Sequence, residues 1–554
     1  MAHAGSHADL VFVGGHIFTG HGRPAQQGAV AVAGGRIVAV GSDAEVRALA
    51  GPATEVVDIG GGLLTPGFQD AHVHPVYGGT QMSQCDLHNI VTSDESVAAV
   101  ATYASAHPDL PWILGGGWSM EAFPGGTPTK ELLDAVVPDR PVFLPNRDGH
   151  SGWVNSPALA AAGITRDTAD PGDGRIERDA DGEPTGCLHE GAMSLVSALV
   201  PPPTDADYDR ALDVAQSYLF SLGITGWQDA IVGEVNGRPD NLEAYARGAR
   251  DGRLKARVVG ALWWDRSRGL EQIAELKERR DAGEVGRFRA TSVKIMQDGV
   301  AENFTAAMTA PYLDACGCQT QNAGLSFVDP TLLDDAVVAL DAEGFQVHFH
   351  ALGDRAVREG LDAIAAARAA NGMNDLRHHL AHIQVVHPDD IPRFAELGAA
   401  ANMQPLWACH EPQMDELTIP FLGEPRWRWQ YPFGDLERAG ARLVGGSDWS
   451  VSSPDVMWGT HVAVTRMPPP DGDDQGGKEA FLPEQALSLE SVLTAYTQGS
   501  AWVNHLDDVT GTLEVGKYAD LALLERDPFA VDPMEIGTIE VSQTFVEGER
   551  VFTR

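Results

Sequence analysis

Apolar residues recur along this chain with two different spacings, and the change between them divides it into three stretches. Residues 10–13, 29–32 and 36–40 are short apolar runs, and Gly34-Gly35 between the last two supplies the positive φ of a tight hairpin. The same texture returns only near the other end, at residues 520–524 and 544–552. Neither end has enough strands for an independent sheet with a good core, so the two are expected to combine into one small composite β-sandwich.

Between these ends, apolar strand candidates alternate with helical patterns. Residues 142–144 precede a predicted helix at 156–162, and 223–229 follow one at 208–222; further strands are predicted at 291–295, 344–350 and 441–448. Repeated strand–helix alternation means a parallel sheet, and about eight units suit a (β/α)8 TIM barrel with insertions. The expected organisation is residues 1–66 as the first part of the β unit, 67–504 as the barrel and 505–554 as the second part. An open doubly wound sheet competes, but neither a Gly-x-Gly-x-x-Gly after an early strand nor a phosphate-binding Gly-x-x-x-x-Gly-Lys-Ser/Thr is present. Two stretches read as long insertions: 410–429, whose Trp427 and Trp429 suit the wall of a site, and 467–478, a surface loop.

With 554 residues the chain can bury a large core. Its formal net charge of −39 repels the phosphates of nucleic acid and an anionic membrane surface and reads as a solvated acidic shell, which is compatible with a small-molecule substrate as partner. Five scattered cysteines are not a disulfide framework and fit a reducing compartment. Cys316-Gly317-Cys318 lacks the spacer and second pair of a structural zinc site, so both cysteines read as ordinary loop or packing residues. No signal-peptide core and no bilayer-length apolar run is found, and a cytoplasmic protein is expected.

Candidate chemistry begins at Asp70-Ala71-His72-Val73-His74. Alternate side chains of a strand share a face, so His72 and His74 can hold one divalent metal ion between them. Chance alone supplies about 0.6 such patterns in a chain this rich in histidine, so the remaining ligands decide its meaning. In a barrel they should be polar residues ending apolar runs. Lys294, His350, His382 and Asp448 occupy such positions, and His348 shares a strand face with His350.

This ordered set, spread over almost the whole chain, resembles the metal-dependent amidohydrolases of the urease-related superfamily. The words Asp148-Gly149-His150-Ser151-Gly152-Trp153, Gly182-Glu183-Pro184-Thr185-Gly186 leading to Glu190, Asp298-Gly299, His350-Ala351-Leu352-Gly353-Asp354 and Gly446-Ser447-Asp448-Trp449 are similar to its amidohydrolase 3 branch, which includes N-substituted formamide deformylases. The resemblance implies a metal site of His72, His74, Lys294, His350, His382 and Asp448, holding one or two divalent ions, zinc by preference. His72 and His74 would bind one ion and His350 and His382 a second. Lys294 would bridge them if N-carboxylated, since an ammonium beside a dication is repelled whereas a carbamate is an anionic oxygen ligand. The family pattern favours His350 over His348 as ligand, and Ala381 stands where the family carries a glutamate. Asp448 would be both ligand and catalytic base.

Substrate-binding candidates are His150 and Trp153, placed at the end of a second barrel strand, with Glu190, Asp229 and Trp407; structural hydrogen bonding or packing is the competing role. Arg355 and Arg466 read as structural. The implied activity is hydrolysis of a non-peptide C–N bond in an amide, N-substituted formamide or cyclic amide by a metal-activated hydroxide. The alternatives are deamination of an aminated heterocycle and a catalytically silent binding protein. A homo-oligomer is a family expectation.

Overall fold

A computed structural model describes residues 7–88, 90–235, 239–470 and 479–554. At its centre are eight parallel strands in chain order: β1 Phe68–Val73, β2 Ile224–Val232, β3 Arg257–Trp263, β4 Phe288–Met296, β5 Gln346–Ala351, β6 His379–His382, β7 Ala400–Met403 and β8 Arg442–Gly445. Each is hydrogen-bonded to the next. Between β8 and β1 the gap is crossed just beyond the strands, by Asp448 N donating to His72 O at 2.7 Å and His74 N to Trp449 O at 2.7 Å. The result is the nearly closed barrel that the alternation predicts.

Strand alternation explains how the barrel is filled. In β5, Val347 and Phe349 face outward into the main hydrophobic core, while Gln346, His348 and His350 turn to the interior. Low in the barrel the interior is polar: Gln228, Gln346, His348, His379, Asn402 and Asn504 are all buried there. Buried polar groups need partners, and these find them largely in one another.

Both ends of the chain build a single eight-stranded sheet. From one edge its order is Glu549–Thr553, Val541–Val546, Leu521–Leu524, Leu63–Pro66, Ala8–Ile17, Gln26–Ala33 and Arg36–Gly41, with Ala50–Asp58 also paired to Ala8–Ile17. The composite unit expected as a sandwich is therefore one sheet folded over its own core, in which Phe12, Val30 and Ile37 meet Leu64, Leu521 and Phe545. Leu63–Pro66 leads straight into β1 through Gly67. A Cβ on Gly67 would lie 2.3 Å from Thr225 Oγ1 of β2, so only glycine lets the first two barrel strands start side by side.

One expectation is overturned. Residues 142–144 are not a barrel strand; Val142–Pro145 belongs to a separate six-stranded sheet inserted between β1 and β2, ordered Gly174–Arg178, Pro184–Glu190, Ser151–Val154, Val142–Pro145, Ile113–Gly116 and Cys85–Asp86. A short continuous apolar run looks the same in any sheet buried on both faces, and only its partners tell them apart. The helices predicted at 156–162 and 208–222 are Ser156–Ala162 and Asp205–Ser221. The second starts earlier because Thr204 and Asp207 form a reciprocal capping box.

The 410–429 stretch folds into short helical pieces, Gln413–Thr418, Ile419–Leu422 and Arg426–Trp429, whose Trp427 and Trp429 pack beside Tyr312 and Leu352. Of the loop expected at 467–478, residues 471–478 lie outside the described residues. Cys316 and Cys318 are exposed in a turn, and the other three cysteines are buried. Among the described residues no helix is long and apolar enough to cross a membrane.

Candidate metal centre

At the carboxyl ends of the strands, imidazoles converge on one carboxylate. His72 is the next-to-last residue of β1 and His74 follows the strand, and their Nε2 atoms lie 3.2 and 2.8 Å from Asp448 Oδ1. His382, the last residue of β6, holds Nδ1 3.8 Å from Asp448 Oδ2. The ring of His350, at the end of β5, is 4.5 Å from that of His382. Ligand atoms of His72, His382 and Asp448 all lie within 4.8 Å of one another.

Local sequence makes this approach possible. A Cβ on Gly446 would sit 2.8 Å from His72 Cβ, so the loop after β8 can press against β1 only as glycine. Asp70 then clamps the two: it accepts from His72 N at 2.9 Å, from Ser447 N at 3.1 Å and from Ser447 Oγ. Non-glycine residues with positive φ gather here, His382 at 77°, Ile383 at 41° and Asp448 at 57°. Such conformations persist where surrounding contacts enforce them; His382 N, for one, is held by Gln404 Oε1 at 2.7 Å.

Electrostatics suit a cation. Burial first, then neighbouring positive groups, push His72, His350 and His382 well below the ordinary imidazole value, which leaves them neutral with lone pairs to offer. Burial works against the charge of Asp448, but the hydrogen bond from His74 and the nearby His382 hold its carboxyl below the usual range. Lys294, on β4, is 2% exposed and burial lowers its ammonium to about 7. Lys294 Nζ and His382 Nδ1 are buried with no hydrogen-bond partner. Two unpartnered nitrogens beside a carboxylate and neutral imidazoles, a nitrogen and oxygen donor set, fit a divalent metal.

The other predicted residues divide. Glu190, with φ 51°, closes the inserted strand Pro184–Glu190 and accepts from His150 Nδ1 at 2.9 Å and Thr305 Oγ1 at 2.8 Å. His150 lies 5.6 Å from the His350 ring, so the inserted sheet delivers this pair to the rim of the cluster. Burial opposes charge on His150, but Glu190 outweighs it and lifts the imidazole to about 9. Trp407 stacks on His382 at 5.4 Å with the rings 9° from parallel. Asp229 lies within β2, accepts from Tyr245 Oη at 2.6 Å and is raised by burial to about 6.

Trp153 is not brought to the cluster: it packs on Trp118 and Phe123 in the core of the inserted sheet and donates to Thr129 O. His150 and Trp153 therefore sit on the insertion and not on a second barrel strand. His150 precedes the strand Ser151–Val154 and reaches the rim, whereas Trp153 lies inside that strand and is turned into its core. Arg466 and Arg355 donate to backbone carbonyls.

Two carboxylates were missed as positioning groups. Asp298 lies 3.2 Å from His350 Nδ1 and is anchored by the N–H groups of Ala307, Leu352 and Gly353. Asp70 is the clamp described above. The available signal for Asp298 was its place two residues beyond the end of β4.

The model of a family described as "Amidohydrolase family" matches residues 55–552. The chain belongs to the amidohydrolase family. This amidohydrolase is 30% identical to YtcJ of Bacillus subtilis over 98% of its own length and 99% of that protein's. It is 28% identical to an N-substituted formamide deformylase of Arthrobacter pascens, covering 98% of this chain and 97% of that one. Among solved structures, it resembles an uncharacterized metal-dependent hydrolase from Pyrococcus furiosus with a TM-score of 0.68 and 26% identity, over 95% of this chain and 99% of that one.

Proposed function

We propose that this amidohydrolase cleaves a non-peptide C–N bond, in an amide, an N-substituted formamide or a cyclic amide. The observation that carries the reading is Asp448, buried among His72, His74 and His382 beside the unpartnered Nζ of Lys294. The full-length similarity to an N-substituted formamide deformylase supports the formamide as first choice of substrate.

His72, His74, His350, His382 and Asp448 would hold zinc, with Lys294 as its carbamate. When bound, the metal supplies Lewis acidity, which polarises a carbonyl and brings the pKa of water toward neutrality. Asp448 takes the proton of the attacking water and returns it to the leaving nitrogen, acting first as base and then as acid. Lys294 is prepared for carboxylation because burial brings it to about 7, where a large fraction is neutral amine. Addition of CO2 to that nitrogen with release of one proton gives the carbamate. His150, held by Glu190, and Trp407 border the space where the substrate carbonyl must lie.

The test is a panel of N-substituted formamides, amides and lactams assayed with zinc, manganese and cobalt. Release of formate or another carboxylate with the matching amine supports the reading. Ammonia release from aminated heterocycles with no amide turnover replaces it by deamination.

A further inference from the structure

Metal ligation by His72 Nε2 requires that nitrogen to be free of its proton, and the following inference rests on the metal reading above. A neutral imidazole has one N–H and one lone pair, so the partner of one ring nitrogen determines the state of the other. The barrel floor decides which is which.

The chain of contacts starts from two backbone carbonyls, which can only accept. Gln346 Nε2 lies 2.9 Å from Arg377 O and 2.6 Å from Val503 O, so its NH2 faces them and its Oε1 faces Gln228. Gln228 must then turn its NH2 toward Gln346 Oε1, at 2.9 Å, and Asn504 Oδ1, at 3.0 Å. Its Oε1 is left facing His348 Nδ1 and His379 Nε2, the latter at 3.1 Å, and both nitrogens must carry hydrogen. His348 Nε2 is therefore a lone pair. His72 Nδ1 lies 2.8 Å from it and must be the donor, which leaves His72 Nε2 bare, 3.2 Å from Asp448 Oδ1.

A second branch agrees independently. With hydrogen on Nε2, His379 has to accept at Nδ1, and the group found there is Asn402 Nδ2 at 3.2 Å. That amide is oriented by Ala71 O, another backbone carbonyl, at 2.9 Å.

We propose that Gln228 is a positioning residue for the metal centre: acting through His348, it holds the proton of His72 on Nδ1 and reserves Nε2 for the ion. No sequence motif marks Gln228, and its side-chain hydrogen bonds go to Gln346, Asn504, His348 and His379.

The experiment is zinc affinity of the full-length chain, measured by competition with a chromophoric chelator and without substrate. Gln228→Leu is expected to weaken zinc binding about 10- to 100-fold, the usual effect of removing a partner behind a ligand. His348→Phe should lose the same, and the double variant no more than either alone, because both act on one proton. Gln228→Glu should bind close to wild type: burial favours the neutral carboxyl, whose O–H replaces the amide toward Gln346 and whose carbonyl still accepts from His348. A merely structural glutamine predicts additive losses in the double variant. Additive losses, wild-type affinity in Gln228→Leu, or a Gln228→Glu as weak as Gln228→Leu would each overturn the inference while wild type still holds zinc. A wild-type chain that holds no zinc overturns the metal reading and this inference together.

Discussion

Beside each end of β6 a histidine lies near an aspartate, with opposite meaning: His378, which precedes that strand, and His74, which follows β1. At the amino end, His378 Nε2 lies 2.8 Å from Asp341 Oδ2. At the carboxyl end, where His382 closes the strand, His74 Nε2 lies the same 2.8 Å from Asp448 Oδ1. Below, every valence is taken: His378 Nδ1 accepts from Val347 N, and Asp341 also receives Arg368, Asn371 and Asn374. Above, one carboxylate faces three imidazoles, while Lys294 Nζ and His382 Nδ1 have no hydrogen-bond partner. The shortest histidine–aspartate distance is the same at the two ends. What separates a structural pair from a ligand cluster is whether the neighbouring donors and acceptors are spent.

That contrast can be broken in order of expected effect. Asp448→Asn should lower turnover about 10²- to 10⁴-fold while retaining most of the bound zinc, as read by single-substrate kinetics and metal analysis. Near-normal turnover in this variant ends the assignment of Asp448. Asp341→Ala should leave kcat unchanged and instead destabilise the fold by about 3–5 kcal/mol in urea denaturation, since Arg368 and His378 would stay buried without their carboxylate. A kinetic defect in a folded Asp341→Ala would erase the distinction between the two ends.

Acid should weaken the lower end. Burial opposes ionisation of Asp341, but hydrogen bonds from His378, Asn374 and Asn371 outweigh it and hold the carboxyl at about 2, against an ordinary 3.8. The folded value lies below the unfolded one, so this contribution, about 2 kcal/mol, is complete above pH about 4 and disappears as pH falls toward about 2. Asp341→Asn should flatten that part of the stability profile; parallel acid curves for the two proteins would contradict the pairing. The smallest effect has the reverse sign. Lys294→Met removes an unpartnered buried amine and should stabilise the metal-free chain by about 1 kcal/mol, seen as a raised melting temperature. A lowered melting temperature would mean that Lys294 is held by contacts of its own.

Much of this was legible beforehand for a physical reason. Strand–helix alternation and polar residues at strand ends are local patterns, and they led to the barrel and to His72, His74, Lys294, His350, His382 and Asp448. Partnerships between distant residues leave no such pattern. Gln228 bonds to Gln346 and Asp298 to His350 only because the barrel brings β2 and the loop after β4 against β5. Residues 142–144 and Trp153 misled for the same reason, since an apolar run does not say which sheet it will join.

The terminal sheet carries a consequence for how this protein is born. Leu63–Pro66 is flanked by Ala8–Ile17 on one side and Leu521–Leu524 on the other, and Gly67 N donates to Asp520 O at 2.7 Å. At ribosomal elongation rates, about half a minute or more separates the emergence of the first strand from that of its neighbour. Through that interval the nascent chain carries an unpaired sheet edge, open to pairing with other chains and a natural target for chaperones. The segment leading into His72 is among the earliest to leave the ribosome and among the last to be fastened.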